Sequence, residues 1–255
     1  MFIKQILYKV LGVRNYLIVV SRMFFISYSM GLLKRNKTFD CHHFISKLIH
    51  KGDHVIDIGA NLGYYSRLFA KLVGPKGKVF SVEPVTLFRN ILNINISGFR
   101  NTTVIPYALG TEDDKQITMG IPKSNKYLRH GLTRILNTDE NEPFEFTFEE
   151  KMFTPATIFE NLTRCDYIKC DVEGYEIYII PQLEFLLKPF QPIIQIEIEP
   201  VNRKRIGEFL SSFSYSAFYL KNELLYPAGE NQDETNGDYF FIPGKKMNLI
   251  KPYLA

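Results

Sequence analysis

The stretch that most constrains the fold of this 255-residue chain lies between positions 55 and 83. VIDIGANLGYYS (55–66) reads as a short apolar strand, a turn carrying Gly59 and Gly63, and the start of a helix. VFSVEP (79–84) follows as a second strand that ends in an acid. Two strands joined through a helix do not form a tight hairpin; the crossover makes them parallel. The alternation continues. It predicts strands over 54–58, 78–82 and 103–107 and helices over 62–73 and 86–96. Gly74-Pro75 ends the first helix and Thr86 caps the second. The consequence is an α/β fold with a central, mostly parallel sheet and helices on both faces.

The chemistry of that turn narrows the ligand. Glycine at 59 and 63 lets the backbone turn sharply and lets a ligand come close. The helix that follows presents free N–H groups to polar or anionic ligand atoms. Glu83 stands 24 residues after Gly59, where an acid at a strand end accepts hydrogen bonds from ribose hydroxyls. The spacing is G-x-x-x-G rather than G-x-G-x-x-G, with Asn61 in place of the second glycine. That glycine is the one that lets a pyrophosphate lie against the backbone, so a dinucleotide is disfavoured. Asp57 is placed to hold a ligand ammonium, directly or through water. The same residues also suit a purely structural strand-to-helix turn.

Further along, 115–121 and 145–153 alternate as strands, and 123–142 is a long polar loop around Gly131. A short helix over 155–162 leads to a buried strand at 166–170 and the block Asp171-Val172-Glu173-Gly174. Residues 175–187 are helical with Pro181 interrupting, 192–198 form a central strand and 203–213 a helix. Strands at 215–220 and 239–242 close an antiparallel edge hairpin across a loop at 227–238. Ligands in open α/β sheets sit beyond the carboxyl ends of the strands, which gathers Asp57, Glu83, Asp171 and Glu197. Asp171 is the candidate base or positioner. Glu173 orients it, binds substrate, or favours a helix start through the dipole. Lys169 is either a partner for these carboxylates or a solvated strand residue. Asp171 with Glu197 offers oxygen ligands to a divalent ion, but no third ligand is evident, and a metal-free site is expected. In the long loop, Arg129 and Arg134 suit an anionic acceptor, and His130 suits a base near neutral pH.

Composition settles two points. A net charge of +4, with Lys4, Lys9, Arg14, Arg22, Lys34, Arg35 and Lys37 near the N-terminus and no aromatic-plus-basic RNA motif, does not predict a nucleic-acid partner. Three cysteines (41, 165 and 170), with no C-x-x-C pair, predict neither structural zinc nor a disulfide framework and fit a reducing, cytoplasmic compartment. Residues 16–33 are apolar apart from Arg22 and a few Ser and Tyr. A spanning helix needs about 20 mostly apolar residues, and Arg22 argues against one. Two readings remain for this segment: helices packed on the core, or a helix lying on a membrane surface with basic residues beside aromatics.

DYIKCDVEGYE (166–176), with VIDIGANLGYYS and VFSVEP, resembles the FkbM-type methyltransferase family. PIIQIEIEP (192–200) and DYFFIP (238–243) fit its later strands, and the D-x-E-G block after Y-I-K is the most specific part. The resemblance covers about residues 40–243. It leaves 1–39 as an N-terminal helical extension and 40–255 as the methyltransferase domain. It implies a Rossmann-like class I methyltransferase fold, S-adenosylmethionine as cofactor, and transfer to a hydroxyl oxygen, often on a sugar, glycan or secondary metabolite. With that fold, the cofactor set is Asp57, Gly59, Asn61, Gly63, Glu83 and Ala108, the last just past the third strand. N-methylation of a small-molecule amine shares the cofactor half. A catalytically silent binding module would predict decay of the signature, whereas Asp57, Gly59, Gly63 and Glu83 are all present.

Overall fold

A computed structural model of the chain describes residues 2–124, 128–136, 143–229 and 237–255. It opens with a long helix, α1 (Phe2–Ser29), kinked at Gly12, and a short helix, α2 (Asp40–Phe44). Then β1 (His54–Ile58), α3 (Tyr64–Val73), β2 (Lys78–Val82), α4 (Thr86–Ile96) and β3 (Thr102–Ile105) alternate as the periodicity predicts. Thr86 does not cap α4. Val85 holds that position, and the first N–H groups are met by carboxylates instead: Glu83 accepts from Val85 and Glu150 from Thr86. Four strands follow: β4 (Ala108–Leu109), β5 (Lys115–Pro122), β6 (Arg134–Ile135) and β7 (Phe144–Phe153). A helical turn α5 (Pro155–Ile158) leads to β8 (Tyr167–Cys170). The helix expected over 175–187 is divided at Leu183, which leaves the helical region at φ −88° and ψ 3°, into α6 (Glu176–Gln182), which contains Pro181, and α7 (Glu184–Phe190). β9 (Ile193–Ile198), α8 (Pro200–Ser211), β10 (Tyr215–Lys221), β11 (Leu224–Pro227), β12 (Gly237–Pro243) and α9 (Met247–Ile250) complete the chain.

The main sheet runs β11-β10-β12-β9-β8-β1-β2-β3. The five strands from β9 to β3 are parallel, and β12 lies antiparallel between β9 and β10. This is the expected Rossmann-like, mostly parallel sheet, with the expected antiparallel hairpin at one end. A second sheet, β4-β7-β5-β6, is built on the antiparallel pair β5 and β7.

Alternation along the strands sorts the core. Ile56, Ile58, Ile168, Ile194 and Ile196 pack on one face with Ile179, Leu187 and Leu210 of the later helices. Val55, Val79, Tyr167, Ile193 and Phe240 pack on the other with Phe69 and Val73 of α3 and with Phe44 and Ile45. A third cluster joins α1 to the domain: Tyr16 and Leu17 meet Val85, Phe88 and Ile91 around α4, and Ile121 of β5. By length and composition, Ile6–Ser29 could cross a membrane. Yet Tyr16, Leu17 and Phe25 are buried against the protein.

Candidate active site

From β1 the chain moves out to β2 and β3 on one side, and later returns with β8 and β9 on the other. A crevice opens where that reversal happens, at the carboxyl ends of β1 and β8. Gly59 and Asp171 follow those two ends directly and are pressed together. A Cβ at Gly59 would fall 1.9 Å from the Asp171 carbonyl oxygen, and its φ is 81°. Gly63 has a φ of 85°, and a Cβ there would fall 2.6 Å from Leu92 Cδ1 on α4. The sequence suggests that both glycines admit a ligand; in the structure, each first admits another part of the protein.

A cavity of about 220 Å³ lies over the crevice, and Asp57, Gly59, Asn61, Glu83 and Ala108 are in its lining, whereas Gly63 is not. Asp57 is 1% exposed. Its Oδ2 accepts from Ser66 Oγ at 2.6 Å, and its Oδ1 is buried without a partner. Burial pushes the Asp57 carboxyl up to about 6, with Lys169 and Ser66 working the other way. Asn61 adopts a left-handed φ of 50°. Its Nδ2 donates to the His130 carbonyl at 3.2 Å, and its Oδ1 too is buried without a partner. Glu83 accepts from the N–H groups of Asn61 and Val85, both at 2.8 Å. Burial nonetheless raises its pKa to about 7. This wall presents acceptors. It fits a ligand rich in donors, such as the ammonium and ribose hydroxyls of S-adenosylmethionine, and would repel a phosphate.

The opposite wall is charged. Lys169, 2% exposed, is the carboxylate partner rather than a solvated strand residue. Its Nζ is 2.7 Å from Asp171 Oδ2 and 4.5 Å from the centre of the Tyr65 ring. Burial alone would lower its pKa, but Asp171, Asp57 and Asp238 together carry it above the ordinary value. Glu173, with a φ of 51°, lines the cavity, and burial, then Asp171 and Glu176, push its carboxyl up to about 7. Sequence reasoning missed Glu176. Its two oxygens accept from Val172 N (2.8 Å) and Gly174 N (3.0 Å), which locks the loop that carries Asp171 and Glu173. The signal was present in DVEGYE, as an acid just after a glycine turn. Glu197 does not line the cavity. It pairs in register with Asp238, and burial, with Asp171 and Asp238, pushes its carboxyl up to about 8. Among the described residues no three His, Cys, Asp or Glu side chains gather into a metal site.

The third wall comes from the long loop, whose residues 125–127 and 137–142 lie outside the described ones. His130 lines the cavity, its ring centre 6.1 Å from Phe88 and 6.5 Å from Tyr64. Arg129 is exposed, and the Arg134 guanidinium lies 5.8 Å from the centre of the Phe144 ring; neither lines the cavity. His42, Tyr64 and Tyr65 do line it; His42 lies outside every motif, and the two tyrosines, though within VIDIGANLGYYS, were assigned no role. His42 stacks on Tyr65 at 4.0 Å, and burial and Lys169 push its pKa down to about 3. Tyr65 accepts from Gln195 Nε2, which also donates to Asp238, while Tyr167 donates to Gln195. A buried polar row thus crosses the α3 face of the sheet beneath the cavity.

Among known proteins, the family described as Methyltransferase FkbM domain matches residues 57–224. A protein-L-isoaspartate O-methyltransferase from Methanococcoides burtonii is 33% identical over 91 residues, 34% of this chain and 40% of that protein. The chain spans well under half the length of the curated relatives it matches. A methyltransferase FkbM from Methylobacillus flagellatus KT superposes with a TM-score of 0.46 at 14% identity, over 74% of this chain and 43% of that one. A fibrillarin from Aeropyrum pernix, crystallised with natively bound S-adenosyl-L-methionine, does so with a TM-score of 0.43 at 12% identity, over 76% and 68%.

Proposed function

The chain belongs to the FkbM methyltransferase family, and from that premise we propose that it transfers the methyl group of S-adenosylmethionine to a hydroxyl oxygen on a sugar, glycan or secondary metabolite. The observation that carries this reading is a switch-point cavity with buried, unpartnered acceptors on Asp57 and Asn61 along one wall and a carboxylate of raised pKa on the other. When bound, the cofactor supplies an electrophilic methyl on sulfur. Asp57 and Asn61 hold its ammonium, and Glu83 holds its ribose hydroxyls.

The acceptor end divides its work between two acids. Asp171, pinned by Lys169, positions the hydroxyl. Glu173 takes its proton: a carboxyl near 7 is matched to neutral pH, and such a base contributes about 10²–10⁴-fold. Positioning of the oxygen supplies several kcal/mol more. Arg129 and Arg134 then serve parts of an acceptor that extend beyond the cavity. The partner is a hydroxylated small molecule or glycan, not a nucleic acid, and the three free cysteines suit a reducing, cytoplasmic setting.

The test is transfer of labelled methyl from S-adenosylmethionine to pools of cell-extract glycans, lipids and small metabolites. Label on a hydroxyl is expected. Glu173→Gln should lower kcat by roughly 10²-fold or more, with S-adenosylhomocysteine binding nearly unchanged. Label found only on amines would move the assignment to N-methylation. Tight S-adenosylhomocysteine binding with no transfer to any pool would leave a silent module.

A further inference from the structure

Residues 1–39 hold seven Lys and Arg and no Asp or Glu. The chain's +4, less the +7 of this segment, leaves −3 on the rest. Lys9, Arg14, Arg22, Lys34, Arg35 and Lys37 are exposed. Among them stand bare apolar side chains: Val10 is 75% exposed, Met23 53%, Ile26 58%, Met30 66% and Leu32 65%. Met23, Ile26 and Met30 share one helical stripe, while Leu17, Ser21 and Phe25 form the buried stripe against the domain. α1 is therefore apolar on both sides, and only one side is covered by protein.

Beside the buried stripe runs an apolar groove of about 410 Å³, lined by Leu7, Val20, Met23, Phe24, Leu33 and Phe39. Its lining also includes His42, Tyr64 and His130, and these three line the active-site cavity as well. The groove and the cavity meet across them.

We propose that this groove takes the hydrocarbon chain of a lipid-linked acceptor, presented to the active site from an anionic membrane surface on which the outer stripe of α1 lies. This rests on the methyl-transfer reading of the adjoining cavity and names its substrate class. The cations match anionic headgroups, and the bare aliphatic stripe matches the acyl boundary below them. A second copy of the chain would bring the same positive segment against it and be repelled. Spanning is opposed by packing: a helix drawn across the bilayer would strip Tyr16, Leu17 and Phe25 from the domain and break the Tyr8–Glu145 hydrogen bond of 3.1 Å.

The full chain, saturated with S-adenosylhomocysteine, is titrated by calorimetry with maltose, n-octyl maltoside and n-decyl maltoside below their critical micelle concentrations. Affinity should rise about three- to four-fold per added methylene, and maltose should not bind. Ser27 also lines the groove, so Ser27→Trp fills it and should abolish the chain-length dependence while S-adenosylhomocysteine affinity stays within about two-fold, a shift small beside the tenfold that 1.4 kcal/mol represents. If that variant does not fold, Met23→Glu at the exposed rim should weaken alkyl binding in the same way. The chain has no Trp, so Ile26→Trp supplies the sole tryptophan, read with excitation selective for it over tyrosine. Its emission should shift to the blue with phosphatidylglycerol-containing vesicles and not with pure phosphatidylcholine. Equal binding of maltose and decyl maltoside, unshifted emission, or vesicle association that resists alkaline carbonate each overturns the proposal. Absence of S-adenosylhomocysteine binding would instead bring down the methyltransferase reading on which it rests.

Discussion

At Gly59, backbone sterics and site chemistry cannot be separated. Gly59→Ala places a Cβ 1.9 Å from a backbone oxygen, at a φ of 81° that L residues avoid. Asp171 must move with any relief, so the substitution should cost about 3 kcal/mol or more and disturb the acceptor wall. Gly63→Ala meets only the flexible end of Leu92 and should cost less; paired urea titrations check the order. Lys169 is the other residue with no substitute. Lys169→Met leaves the carboxylates of Asp171, Asp57 and Asp238 without their buried counter-charge, an expected loss of about 3–5 kcal/mol. The loss should shrink toward pH 6, where Asp57 takes up a proton. A loss relative to the parent chain that is no smaller at pH 6 than at pH 8 would mean that Lys169 does not hold these acids. Asp57, Glu83 and Asp171 were legible in sequence because the ends of parallel strands converge whatever the loops do. His42 and Tyr65 were not, because packing puts them there, and Glu176 gave only the signal of an acid after a glycine turn, its role set by the loop's own hydrogen bonds.

Elements were legible where periodicity is strong and pairing follows chain order. The bounds of β1, β2 and α4 coincide with the apolar pattern. The second sheet was hidden for two reasons: β4 and β6 have two residues each, too few to show a period, and β5 finds β7 across the long loop. For α1 the sequence left a packed helix and a surface helix both open, since its apolar residues go all the way round. The structure assigns Tyr16 and Leu17 to packing. Leu17→Ala should therefore destabilise the whole domain by about 2–5 kcal/mol. A thermal melt that matched the parent chain would show the helix to be an appendage.

Across the whole molecule, burial has raised the pKa of several carboxyls at once: Asp57 to about 6, Glu83, Glu173 and Glu176 to about 7, and Glu197 to about 8. In the unfolded chain these groups ionise near 4. Between those limits the folded state binds more protons, so stability must fall as pH rises. A fully buried group contributes about 1.4 kcal/mol per pH unit within its window, and Glu173 and Glu197, partly in solvent, contribute less. His42 acts in the opposite sense: with its pKa pushed down to about 3, it costs stability as pH drops below the ordinary histidine value. The raised carboxyls outnumber this one histidine, so the ligand-free protein should melt progressively lower from about pH 5 to pH 8. S-adenosylhomocysteine should reverse part of that loss, because donors placed against Asp57 and Glu83 favour their ionised forms. The gain in melting temperature at saturating ligand should therefore grow from pH 6 to pH 8. Melts at four pH values, with and without ligand, separate the two claims. A flat ligand-free profile would remove the buried-carboxylate account, and a ligand effect that ignores pH would take Asp57 and Glu83 out of the binding site.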